Sequence, residues 1–66
     1  IVFVIINGEE QQISATTVLG LLEDLSLPIA GVAVAVNARV IPKSQVADFL
    51  LSEGDAIEII QAVGGG

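Results

Sequence analysis

One stripe of helical periodicity stands between short apolar runs, and that order restricts the fold of this 66-residue chain more than any other feature. Val18, Leu21, Leu22 and Leu25 recur at i, i+3, i+4 and i+7, the spacing of a helix that packs by one face. Thr16 is the expected N-cap. Pro28 prevents the helix from running on, and Gly20 inside the stripe suggests close approach to a sheet. Ahead of the helix, the β-rich run Ile1 to Ile6 stops at Asn7-Gly8, the dipeptide that suits a type I′ hairpin because both positions need φ > 0. The return strand, Glu9 to Ser14, is polar and suits a sheet edge.

After the helix, Gly31 opens Val32-Ala33-Val34-Ala35-Val36, where large and small side chains alternate with the period of a strand and the valines are expected to face the helix. Asn37-Ala38 then turns the chain into Arg39-Val40-Ile41, and Pro42 ends that piece. Val46, Phe49 and Leu50 share the spacing of a short second helix capped by Ser44. Glu53-Gly54-Asp55 is a turn signal. Ala56 to Val63 reads as the last strand and leads into Gly64-Gly65-Gly66. The order is ββαββ, an α+β roll over residues 1–63 followed by a glycine tail at 64–66.

A chain this short buries only about 60% of its unfolded surface. With no Cys and no His, no disulfide, zinc site or imidazole chemistry supports it, so apolar packing must. A hydrophobic share of 53% is sufficient for that. The longest apolar stretch, Leu27 to Val36, falls short of the ~20 residues of a membrane span. No basic residue near Ile1 suggests a signal peptide, and a cytoplasmic protein is expected. Eight acids against Arg39 and Lys43 give a formal charge of −6, which argues against nucleic acid and for a basic partner or simple solubility.

The chain offers little for catalysis of its own. Its serines have no histidine partner, and Glu9/Glu10, Glu23/Asp24 and Glu53/Asp55 fall at turns or a helix end, where solvated faces are the ordinary reading. The glycines at the end have no helix after them to bind phosphate. They suit reach instead: three such residues extend by roughly 10 Å and carry a terminal carboxylate down a channel too narrow for side chains. ATP can activate that carboxylate as an acyl-adenylate, which a sulfur nucleophile then opens. An inert tail is the competing reading.

A helix covers one face of a sheet, yet Ile1 to Ile6 is apolar on both faces, and the last strand puts Ile57 and Ile59 on one side and Ile60 and Ala62 on the other. The uncovered face is a candidate docking surface, with Ile60 and Ala62 within it and Glu58 at its rim. Glu53, Asp55 and Glu58 are expected near the point where the tail leaves, placed to steer a partner.

Asn7-Gly8-Glu9, Thr17-Val18 with Leu21-Leu22, Gly31 to Asn37, Val40-Ile41-Pro42-Lys43-Ser44, Glu53-Gly54-Asp55 and Ala62 to Gly66, in that order and spacing, resemble the sulfur carrier family of thiamin biosynthesis over essentially the whole chain. That family often has Arg where Lys43 stands and Trp where Val46 stands. The resemblance implies a ubiquitin-like β-grasp fold, a mixed sheet of four to five strands on one main helix with a short second helix. It implies a carrier and not an enzyme, with no bound cofactor or metal. Gly66, preceded by Gly65 and Gly64, would be adenylated by a ubiquitin-activating-like adenylyltransferase and converted to a thiocarboxylate with persulfide sulfur from a cysteine desulfurase. The sulfur would pass to thiazole synthase. The small subunit of molybdopterin synthase, a ubiquitin-like protein modifier and an inert binding module remain as alternatives.

Overall fold

Two tight turns, each opened by an asparagine in the left-handed region, set the frame. The computed structural model describes residues 1–61. β1 (Val2–Ile6) pairs antiparallel with β2 (Glu9–Ile13) through Asn7 at φ 50° and Gly8 at φ 85°. β3 (Val32–Val36) pairs with β4 (Arg39–Val40) through Asn37 at φ 53° and Ala38 at φ 69°. The first has the geometry expected of Asn-Gly; the second repeats it at Asn37-Ala38, where the sequence indicates only a turn, and carries a Cβ where glycine is favoured. Replacing Ala38 by Gly should stabilise the protein by about 0.5–1 kcal/mol, a rise in Tm of roughly 4 °C, whereas Gly8→Ala should cost a similar amount. Nothing outside the turn obstructs an added Cβ at Gly8, so the cost of the second change is the strain of the positive φ alone. Unchanged melting of Ala38→Gly would show that the turn stores no strain.

β5 (Ala56–Gln61) lies between the hairpins, parallel to β1 and antiparallel to β3, so that the sheet order is β2-β1-β5-β3-β4. The last strand among the described residues is thus the middle strand of the sheet. α1 (Val18–Asp24) covers one face, where Val18, Leu21 and Leu22 pack on Val4, Ile6, Val34, Val36 and Ile57. The valines of β3 do face the helix. Ile41, Val46 and Leu51 complete the core.

Local chemistry departs from the sequence reading at four points. The N-cap is Thr17, one residue later than expected; its Oγ1 accepts from Gly20 N at 3.0 Å. The close neighbours of Gly20 are therefore Thr17 Oγ1 and Ala15, not the sheet. The helix ends before Pro28 can act, in a Schellman arrangement: Ser26, at φ 59°, donates to Glu23 O, and Leu27 donates to Leu22 O. Leu25 falls in this cap and is partly exposed.

The short second helix is a single 3₁₀ turn, Lys43–Gln45, entered through Pro42 rather than capped by Ser44. One further turn follows, in which Gln45 O accepts from Asp48 N and Phe49 N, but the helix goes no further because the next carbonyls are used elsewhere. Val46 O and Phe49 O accept from Leu19 N and Val18 N, the free donors of the first turn of α1, each at 3.0 Å. Val46 is buried and Phe49 partly so, but Leu50 points to solvent.

Candidate functional site

Alternation along β1 and β5 determines which side chains the uncovered sheet face presents. With Val2, Val4 and Ile6 turned toward α1, Phe3 and Ile5 are turned away and are 47% and 39% exposed. On β5, Ile57 is 1% exposed and Ile59 packs against the core, whereas Glu58 and Ile60 point outward. Ile60 is 66% exposed and stands opposite Ala33. The register continues the patch through Ala35 to Val40, which are cross-strand partners. Ile60 with Ala33 thus forms one apolar strip on this face, and Phe3, Ile5 and Ala56 form another; Glu58, opposite Ala35, stands between them on β5, and Glu10 lies opposite Ile5. The small Ala33 and Ala35 leave relief beside Ile60.

Ile60 also borders a shallow, largely apolar depression of about 340 Å³ with Gly31, Val32, Ala33 and Lys43. Lys43 Nζ donates to Ile29 O at 2.7 Å and to Val32 O at 3.4 Å, tying the 3₁₀ turn to the loop that enters β3. That loop lies beside the end of β5, because Val32 pairs with Gln61.

Glu53 and Asp55 do not join this end. β5 begins after them and runs six residues away, roughly 20 Å. Both lock a turn instead. Glu53 Oε1 accepts from Phe3 N at 3.0 Å, and the Asp55 carboxylate accepts from Ser52 N at 2.8 Å and Asn37 Nδ2 at 3.0 Å. Gly54 N donates to Phe3 O at 2.7 Å, and Ile5 N donates to Asp55 O at 2.9 Å. The Glu53-Gly54-Asp55 segment is accordingly an extension of the β1 ladder, and its charges are used structurally. Glu58 alone of the three acids lies on the candidate surface.

Ala62, Gly64, Gly65 and Gly66, and with them the domain boundary after residue 63, lie outside the described residues. Among the described residues no three His, Cys, Asp or Glu side chains are grouped to hold a metal ion, and no helix is long and apolar enough to cross a membrane. The sequence pattern assigns Asn7 only to its turn, yet its side chain reaches across to β5. Oδ1 accepts from Ile59 N at 2.9 Å, and Nδ2 donates to Ile59 O at 3.3 Å.

Comparison with known proteins agrees with this architecture. A family model described as the ThiS family matches residues 4–66. The chain is 36% identical over 64 residues to the sulfur carrier protein ThiS of Escherichia coli (strain K12), covering 96% of this chain and 97% of that protein. It is 43% identical over 63 residues to a thiazole synthase of Paramagnetospirillum magneticum, covering 94% of this chain but 19% of that much longer protein. The crystal structure of a thiamine biosynthesis protein, ThiS, from Geobacter metallireducens superposes with a TM-score of 0.80 at 26% identity, covering 97% of this chain and 99% of that one.

Proposed function

The chain belongs to the ThiS family of ubiquitin-like sulfur carriers of thiamin biosynthesis, and on that premise we propose that its Gly66 carboxylate is the sulfur-bearing group. The observation that carries this reading is the place of β5. The strand that precedes Gly64-Gly65-Gly66 in sequence is the middle one of the sheet, paired with β1 at its start and with β3 as far as Gln61.

The chemistry proceeds in two displacements. A Gly66 carboxylate oxygen attacks the α-phosphorus of ATP and pyrophosphate leaves, giving an acyl-adenylate. A sulfur nucleophile then attacks the acyl carbon and AMP leaves. With hydrosulfide the product is the thiocarboxylate, one oxygen having been replaced by sulfur. The chain has no Cys, so no side-chain thiol of its own competes to carry the sulfur. Adenylation requires a ubiquitin-activating-like adenylyltransferase, sulfur comes from a cysteine desulfurase, and the thiocarboxylate is used by a thiazole synthase. The likeness to a thiazole synthase of Paramagnetospirillum magneticum supports the last of these partners.

Intact mass spectrometry after incubation with the activating enzyme, ATP and sulfide tests the reading. The expected result is one oxygen-to-sulfur replacement confined to the C-terminal fragment. No such species, or sulfur mapped elsewhere, would replace it by a protein modifier or an inert binding module.

The strip around Ile60 is the proposed docking surface for the activating enzyme. An Ile60→Asp change places a charge in its middle without touching the core, and should weaken that complex at least about tenfold. Because the side chain is largely exposed, Tm should move by no more than about 3 °C. Titration calorimetry alongside thermal melting separates the two effects. Unaltered affinity would remove Ile60 from the interface.

A further inference from the structure

We propose that Asn7 is a positioning residue for the activation step: its side-chain amide fixes the end of β5, the strand that leads in sequence toward the terminal carboxylate. The inference rests on the carrier reading above.

Main-chain pairing between β1 and β5 is short. It comprises Ile5↔Ala56 and Ile6↔Ile57, and its last bond runs from Asn7 N to Ile57 O at 2.9 Å. There β1 turns away into its hairpin, while β5 continues to Gln61. Asp55 O and Ile57 O are already bonded to β1, so by alternation the N–H and C=O of Ile59 face the same side, where the β1 main chain no longer runs. A primary amide offers the same donor and acceptor as a peptide unit. The Asn7 side chain meets both groups, at 2.9 Å and 3.3 Å, and acts as one further residue of β1. On the opposite side the β3 ladder reaches Gln61. Two-sided support therefore extends as far as Ile59, two residues before the strand ends, through this one side chain.

Anchoring there reduces the orientations that the terminal segment must lose when its carboxylate is brought into line with the α-phosphate of ATP. Docking of the body is a separate matter, since the apolar strip lies on the sheet face. Loss of the anchor should consequently lower the fraction of docked complexes that react, a kcat effect, more than it raises KM.

The molecule supplies its own control. Asn37 occupies the equivalent position of the other hairpin at nearly the same φ, and its Oδ1 accepts from Ala56 N at 3.0 Å, at the beginning of β5. Glycine tolerates these backbone angles, so Asn7→Gly and Asn37→Gly each remove a side-chain clasp without straining a turn.

The experiment compares these two variants and Asn7→Asp in the full chain, by amide hydrogen exchange and by ATP–pyrophosphate exchange with the activating enzyme. Asn7→Gly should speed exchange at the Ile59 amide about tenfold and lower kcat about five- to tenfold, with KM within twofold. Asn37→Gly should speed exchange at Ala56 instead and leave kcat within twofold of the parent. Asn7→Asp, which keeps the acceptor for Ile59 N–H, should recover at least half of the lost kcat. The proposal is overturned if the two glycine variants lose kcat equally, if the Ile59 amide is freed with no change in kcat, or if the loss lies wholly in KM. A parent chain that supports no pyrophosphate exchange at all overturns the carrier reading instead, and this role with it.

Discussion

Removal of Gly65 and Gly66 should abolish acyl-adenylate formation while leaving the melting temperature unchanged. Two residues fewer draw the carboxylate back by about 7 Å, whereas an in-line attack needs the reacting atoms within about 3–3.5 Å. A gap of that size cannot be closed by side-chain adjustment, and pyrophosphate exchange should fall by more than about a thousandfold. Stability should be unaffected because glycines add no side chain to a core, and among the described residues the core side chains lie between Val2 and Ile59. Exchange that persists in the truncated chain, or a truncated chain that unfolds, would sink the assignment of the reactive group to Gly66.

The second large effect lies in the core. Ile57 is 1% exposed and faces α1 from the middle strand, between its cross-strand partners Ile6 and Val36. Truncation to Ala leaves a cavity that these neighbours, themselves held in the sheet, cannot fill, at an expected cost of about 3–4 kcal/mol. A domain of this size has a total stability of roughly 3–10 kcal/mol, so a sizeable unfolded population should be measurable without denaturant. Ile57→Val should cost only about 1 kcal/mol, and Ile60→Ala, on the open face of the same strand, less than about 0.5 kcal/mol. Urea titrations of the three variants give the ranking. Equal losses at 57 and 60 would mean that the two faces of β5 are not distinguished as burial suggests.

The sequence discloses those features that depend on neighbours along the chain. Asn7-Gly8 specifies its hairpin, the Val18 to Leu22 stripe specifies its helix, and period two in residues 56–61 separates Ile57 from Ile60. Features set by distant partners were not readable in this way. Val46 and Phe49 have helical spacing, but their carbonyls are taken by the N-terminus of α1, about 30 residues away, and that contact wins over local periodicity. The acids at 53 and 55 read as steering charges because the direction of β5, which separates them from the end of the strand, is a property of the sheet. Asn7 reads as a turn former because its second use requires Ile59, 52 positions further on. Of the site itself, Ile60 and Glu58 are exposed where the alternation puts them, whereas which residues of β1, β3 and β4 share that face with them depends on strand order.

The central place of the last strand also bears on how the protein is made. During synthesis the two hairpins emerge first, with no surface of their own broad enough to bury α1, and the sheet can close only after residues 56–61 have left the ribosome. A nascent chain interrupted before residues 56–61 therefore has no closed sheet. Such fragments should be cleared by proteases rather than persist beside the folded carrier.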